Sequence, residues 1–314
     1  MATMKNLWQI AQKINIEPGR IHFSEPMAPH TTFRIGGPAD IFIKISSPAE
    51  LGRAVAYLAE ESIPCFVLGG GANILVGDKG IRGAVLDLSA LSWARSGGAS
   101  LTAGAGISVD MLCENALALE LEGLENFYGM PGSLGGAVYM NARCYEKDFS
   151  ETIKEITIVS PGGELKNLHP SADQWAYKKS PFQPGGAWAG WIIAGATFAL
   201  RDGKAESIAG IMRSRKLDRI GKGHYRLPSA GSVFKNNRNF GKPTGAILDG
   251  LGIKGMRIGG AAVSSWHANI FVNAGEATAG DMRALIEKAQ ALPFSAYGFD
   301  LEHDVLFIAE FQGR

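Results

Sequence analysis

The sequence predicts a protein of mixed helices and strands in two or three units, and three observations carry that reading. The chain has 314 residues, 46% of them hydrophobic, enough to bury sizeable cores. Segments with the period of amphipathic helices alternate with short apolar runs of strand type. Glycine supplies 41 of the 314 residues, about 13% against an ordinary share of about 7%. These glycines cluster at 36–37, 69–71, 129–136, 185–186 and 259–260, between the periodic segments. Clusters of that kind mark close backbone approach to a bulky ligand, or tight turns between strands.

Residues 48–61 read as the first clear helix, with Ser47 as N-cap, Pro48 at the first position and Leu51, Val55 and Leu58 on one face. CFVLGGGANILV (65–76) is a short strand running into a glycine loop, and GAVLDLS (83–89) is another strand. Together they give a βα-type unit over 1–90. From Ser100 follow a strand, LTAGAG, and a helix over 108–123 capped by Ser108. ITIVSPGGELKNL (156–168) reads as a hairpin around Pro161-Gly162-Gly163, and WIIAGATFAL as a buried strand. Arg201-Asp202-Gly203 reads as a turn closing a second section, 91–202. The third section, 203–314, opens with a basic helix at 206–220. It later carries a capping box, Thr278 with Asp281, ahead of inward Met282, Leu285, Ile286 and Ala289. A strand, DVLFIAEF (304–311), ends the pattern. No internal repeat is visible.

Charge is nearly balanced, 31 basic against 30 acidic residues, which argues against general nucleic-acid affinity. Cys65, Cys113 and Cys144 form no CxxC pair and suit small buried residues in a reducing compartment. No His/Cys/Asp cluster argues for a metal. The first 20 residues lack a signal-peptide core, and the apolar stretch from Ala187 to Leu200 falls short of the roughly 20 residues that span a bilayer. A cytoplasmic protein without membrane insertion is expected.

The glycine loops invite a phosphate-binding reading, because a backbone without side chains can aim N–H groups at an anion. Neither GxxxxGK[ST] nor GxGxxG occurs, so the common nucleotide fingerprints fail. Loops 69–73 and 129–136 can still grip one pyrophosphate from two sides, or be turns.

Six motifs in order carry a resemblance. TTFRIGGPAD (31–40), LGGGANILV (68–76), GMPGSLGGAVYMNA (129–142), PSAGSVFKN (228–236), GLGIKGMRIGGAAVSSWHANIFVN (250–273) and LEHDV (301–305) resemble the UDP-N-acetylenolpyruvoylglucosamine reductases of bacterial peptidoglycan precursor synthesis. The chain is similar to the shorter subtype, which lacks the tyrosine-bearing lid insertion. The resemblance implies an α+β fold, a two-subdomain FAD-binding part of vanillyl-alcohol-oxidase type followed by a C-terminal α+β substrate domain. It implies non-covalent FAD, NADPH as hydride donor, and reduction of the enolpyruvyl ether of UDP-N-acetylglucosamine to the lactyl ether.

Site residues follow from the same resemblance. Gly69, Gly70, Gly71, Ala72, Asn73 and Ile74, with Gly129, Pro131, Gly132, Ser133, Gly135 and Gly136, would wrap the FAD, Ser133 and Asn73 adding side-chain hydrogen bonds. Ser232 matches the proton donor. Tyr177-Lys178-Lys179-Ser180 stands where the family has Tyr-Arg-x-Ser, so Lys178 takes the place of an arginine that stabilises the enolate. Asp304 takes the place of a catalytic glutamate, one methylene shorter, and Glu302 of the same motif is retained. Tyr177, Arg213, Lys216, Lys235 and Asn236 are expected at the substrate. Ala262-Val263-Ser264-Ser265-Trp266-His267 replaces the family's Gln-Val-Ser-Glu-Lys-His. The substitutions at 178 and 304 motivate a second reading, a non-catalytic flavin-binding relative acting as a sensor or partner protein. A flavin oxidase is a third, weakened by the lack of a flavin-linking His or Cys motif.

Overall fold

The helix expected at 48–61 forms over Pro48–Glu60. Pro48 sits in the first turn, where its missing N–H is not needed, and the Ser47 hydroxyl accepts the Glu50 N–H at 3.2 Å. Leu51, Val55 and Leu58 are buried, as their spacing requires. The structure, a computed structural model, describes residues 4–309.

Capping works alike at Val109–Ala118, where the Ser108 hydroxyl accepts the Met111 N–H at 3.1 Å. This helix ends before the expected 123. Glu120 turns to a left-handed φ of 55°, and Leu121–Glu122 becomes a strand paired with Arg201–Asp202. Burial of Leu121 and Leu124 in the core holds the chain off the helical path. Arg201 and Asp202 are therefore paired strand residues rather than part of a free turn.

The hairpin forms as Ile153–Val159 against Leu165–Leu168, from Ile156↔Leu168 to Val159↔Leu165. Gly163, at φ 88°, makes its turn and donates to the Ser160 carbonyl at 2.9 Å. The hairpin extends through Ile192–Ala199, Ser100–Gly104 and Ala94–Ser96 into a five-stranded antiparallel sheet. A four-stranded sheet includes Cys65–Leu68 and Ile81–Asp87 as parallel neighbours.

The described chain divides into two compact units with interleaved segments. One holds residues through 24, 40–70 and 83–217; the other holds 25–39, 71–82 and the chain from 218 onward. A continuous apolar cluster fills the first, including Leu51, Leu86, Leu101, Phe127 and Ile156. At its centre Phe149 meets Phe127 and Phe198 edge to face, with ring centroids 4.9 and 5.5 Å away. Cys113 and Cys144 are buried, whereas Cys65, expected to be buried, is exposed.

In the second unit, Arg257–Ile258, Ala261–Val263 and Phe271–Asn273 form a three-stranded sheet packed on the helix Ala279–Tyr297. The expected capping box is present: the Thr278 hydroxyl accepts the Asp281 N–H at 3.0 Å, and the Asp281 carboxylate accepts the Thr278 N–H at 3.1 Å. Met282, Leu285, Ile286 and Ala289 are buried. Asp78 adds a second acceptor at this positive helix end, taking the N–H groups of Ala279 and Gly280 at 2.8 and 2.9 Å. The final strand forms over Leu306–Ile308, parallel to Ile74–Val76; Glu310 and Phe311 lie outside the described residues. Among the described residues no helix is long and apolar enough to cross a membrane.

Candidate cofactor and substrate sites

Inside the first unit, Gly69 and Gly70 of the first glycine loop meet the second loop. A Cβ on Gly70 would stand 2.6 Å from Gly132 Cα and 2.9 Å from Ser133 N, so one backbone leaves no room for a side chain on the other. The Gly70 N–H donates to Ser133 Oγ at 3.1 Å, and Gly136 donates to the same oxygen at 3.4 Å. Side chains are excluded at Gly70 by the protein's own backbone, a cause that the sequence left open.

The second loop is laced along residues 105–110. Val109 N donates to Gly132 O at 3.1 Å, Leu134 N to Ile107 O at 2.9 Å, and Gly135 N to Ala105 O at 2.8 Å. Gly129 and Gly132 take φ of 82° and 116°, open to glycine and strained for other residues. Among the described residues nothing accepts the N–H groups of Gly132 and Ser133. With two N–H groups already aimed at Ser133 Oγ, its hydroxyl proton is left to donate elsewhere. These three donors at one bend are a candidate anion nest for a pyrophosphate. A Cβ on Gly136 would meet only Ser133 Oγ, at 3.6 Å, so this face stays open to a ligand. These residues fit the diphosphate of FAD.

Gly70→Ala is expected to cost about 1–3 kcal/mol of stability, the range for an overpacked side chain, and to lower bound FAD. Denaturant unfolding and flavin content of the purified variant measure both. A variant with wild-type values would mean that the loops can part without consequence.

Lys178 lies in the same unit, on a turn closed by mutual hydrogen bonds between Ala176 and Lys179. Asn141, buried, donates to the Ala176 carbonyl at 2.9 Å, and Gln183 donates to the Lys178 carbonyl at 3.3 Å. Lys178 holds a left-handed φ of 57°, a conformation that costs a non-glycine residue on the order of 1–2 kcal/mol. Tyr177 is exposed, with the Arg143 guanidinium 6.0 Å from its ring centre. Arg143 itself bonds Asp148 at 2.7 Å.

The second unit brings Ser232, Lys235, Asn236, Asn73 and Asp304 together. Residues 232–235 run between two segments. On one side Val233 N donates to Asn269 O at 2.9 Å; on the other Asp304 N donates to Val233 O at 2.7 Å, and Lys235 N to Glu302 O at 2.9 Å. Buried Asn269 clamps Phe234 from both ends, accepting its N–H at 3.0 Å and donating to its carbonyl at 2.8 Å. Asn73 donates to the Asp304 carbonyl at 2.8 Å, and its own carbonyl accepts the Leu306 N–H at 3.0 Å. Its amide thus fixes the Asp304 backbone, a task the sequence did not suggest. Gly71, at φ 60°, accepts the Thr32 N–H at 3.1 Å, Ala72 follows it, and Ile74 opens the parallel strand. Asp304 is 7% exposed; Glu302 is exposed and pairs with Lys235.

Ser232 and Asn236 line a cleft of about 280 Å³ with Asp249, Lys254, Trp266 and His267. Asn236 Oδ1 accepts the Thr244 N–H at 2.9 Å, which turns the Asn236 amide nitrogen outward as a donor. Burial holds the His267 imidazole below its ordinary pKa, and Nδ1 accepts the Asn269 N–H at 3.2 Å. The neutral ring then carries its proton on Nε2. His224, its ring centre 6.5 Å from that of His267, is lowered to about 4 by burial and by the charge of Arg219. Of the basic-helix residues, Arg213 is exposed, while Lys216 lies in the first unit and bonds Asp110 at 2.8 Å. Asn269 and Asp110 escaped the sequence reading. A lone Asn inside the apolar run ANIFV, and an acid in a helix's first turn, were their only signals.

Residues 39–169 match the model of an FAD binding domain, which places this α+β fold in the FAD-binding class. Residues 223–308 match the C-terminal domain of UDP-N-acetylenolpyruvoylglucosamine reductase. Reductases of that name from Treponema denticola and Borrelia garinii are 39% and 36% identical to the chain, covering 98% and 97% of it and 99% and 97% of their own lengths. The crystal structure of UDP-N-acetylenolpyruvylglucosamine reductase from Thermus caldophilus superposes with a TM-score of 0.76 at 29% identity, over 92% of this chain and 98% of that one. The chain belongs to the UDP-N-acetylenolpyruvoylglucosamine reductase family. The fold class and the family that the six motifs implied are both borne out.

Proposed function

We infer that the chain is an FAD-containing, NADPH-dependent reductase of the enolpyruvyl ether of UDP-N-acetylglucosamine, working in the cytoplasm on a peptidoglycan precursor. The observation that carries this reading is the paired glycine nest in a chain of the reductase family. Bound FAD supplies hydride transfer, from NADPH to C3 of the enolpyruvyl group. The chain's own residues then have two tasks, because negative charge develops at C2 and spreads into the carboxylate.

Ser232 is the proposed proton donor to C2. A serine hydroxyl is a weak acid, but a developing carbanion is a strong base, so position matters more than acidity. It sits opposite Ile270, and the backbone of the next residue, Val233, is held from both sides by Asn269 and Asp304, which gives it that position. Lys178 is proposed to offset the charge on the enolate carboxylate, with its strained turn fixing the direction of approach. Asp304 takes the place of the family's catalytic glutamate. Tyr177, Arg213, Lys235 and Asn236 are proposed substrate contacts, Asn236 donating to the UDP diphosphate. The FAD contacts proposed are Gly69 to Ile74 and Gly129 to Gly136. We keep 1–90, 91–202 and 203–314 as the proposed functional sections, two for the cofactor and one for the substrate.

The purified protein is expected to be yellow, to release free FAD on denaturation, and to oxidise NADPH rapidly only when the UDP-sugar is present. A colourless protein that ignores added FAD would sink this reading. A yellow protein that never consumes the UDP-sugar would be a non-catalytic relative instead.

A further inference from the structure

We infer that Asp110 and Lys216 form a positioning pair that sets how tightly the loop Gly129–Gly136 holds its anionic ligand; this rests on the reading that the loop carries the FAD diphosphate. Asp110 stands in the first turn of Val109–Ala118. One of its carboxylate oxygens accepts the Gly129 N–H at 2.5 Å, and the other accepts from Lys216 Nζ at 2.8 Å. The Lys216 ammonium also lies 5.4 Å from the ring centre of Tyr128, the residue before Gly129. Arg215 reinforces the grip, donating twice to Asn126 Oδ1 at 3.1 and 2.9 Å and lying 4.1 Å from the Tyr145 ring centre. Two adjacent residues of the helix Ala205–Gly221 therefore hold the approach to the glycine loop.

Two physical consequences follow. Gly129, at φ 82°, is a hinge that samples both signs of φ unless restrained, and the carboxylate removes that freedom three residues before the Gly132 and Ser133 donors. The second is electrostatic. An unneutralised Asp110 would repel an anion bound at the loop it supports, and Lys216 cancels that charge. The pair thus orders the loop without adding negative potential to it. Lys216 then acts on the cofactor through Asp110, a task apart from the substrate contact expected of it.

The test is FAD binding to the apoprotein, followed by flavin fluorescence, with the apoprotein's thermal midpoint measured in parallel. Lys216→Met is expected to raise the FAD Kd on the order of ten-fold, about 1.4 kcal/mol, with little change in the midpoint. Lys216→Arg should retain wild-type affinity. Adding Asp110→Asn to Lys216→Met should recover most of the loss, since the amide still accepts the Gly129 N–H and carries no charge. Asp110→Ala removes the acceptor and should bind worst. The inference is overturned if Lys216→Met binds FAD with the wild-type Kd, or if the double variant binds no better than Lys216→Met alone. Wild-type apoprotein that takes up no FAD would instead bring down the cofactor reading, and the inference with it.

Discussion

Ser232→Ala is expected to leave the NADPH half-reaction at its wild-type rate and to slow the substrate half-reaction by about a hundred-fold or more, as loss of a general acid does. Hydride arrival from NADPH requires no proton from Ser232, whereas quenching the charge at C2 draws on the donor role proposed for it. The variant should fold normally, because the segment is anchored through its backbone, Asn269 and the Lys235–Glu302 pair. Stopped-flow absorbance of the flavin separates the two steps. Equal slowing of both would point to misfolding or lost binding, and would remove Ser232 from the mechanism. Ser232→Cys, which keeps a transferable proton, should fall between the two.

Lys178→Met and Asp304→Asn are each expected to depress the substrate half-reaction by on the order of a hundred-fold, the size that a misplacement of about 1 Å can produce. NADPH oxidation by the flavin should be largely spared. Both native residues keep the charge of their family counterparts but change its geometry. Lysine offers a point charge instead of a planar fork, and aspartate reaches one methylene less far. The double variant Lys178→Arg, Asp304→Glu should therefore retain or raise the substrate step. Since Asp304 is buried, its stability is best measured alongside. Neutral substitutions that change nothing in an active protein would show that both positions are misassigned.

Local physics made much of the fold legible. Ser47, Ser108 and Thr278 announced their helices because an N-cap satisfies its own neighbours' N–H groups and needs no distant partner. The Pro161-Gly162-Gly163 turn fixed a hairpin register for the same reason: both strands lie within reach of one turn. At Leu121, and at Ile74–Val76, sequence reasoning fell short. The first was taken for helix because its apolar spacing suits one, yet its strand partner is Arg201–Asp202. The second pairs with Leu306–Ile308, across most of the chain.

The sequence by itself determined the family and the cofactor class, since these reside in ordered motifs, and it supplied the candidate groups for the chemistry. Only the tertiary structure decided what those groups touch. It revealed that Gly70 lacks a side chain because Gly132 stands against it, and that Ser133 Oγ receives two N–H groups before any ligand arrives. It turned Asn73 toward the Asp304 carbonyl and tied Lys216 to Asp110. Apart from Gly136 and Ser133, which are three positions apart, each of these pairs joins residues dozens to hundreds of positions apart. A local pattern fixes which bonds a residue is able to make, whereas the packing of the whole chain selects which ones form.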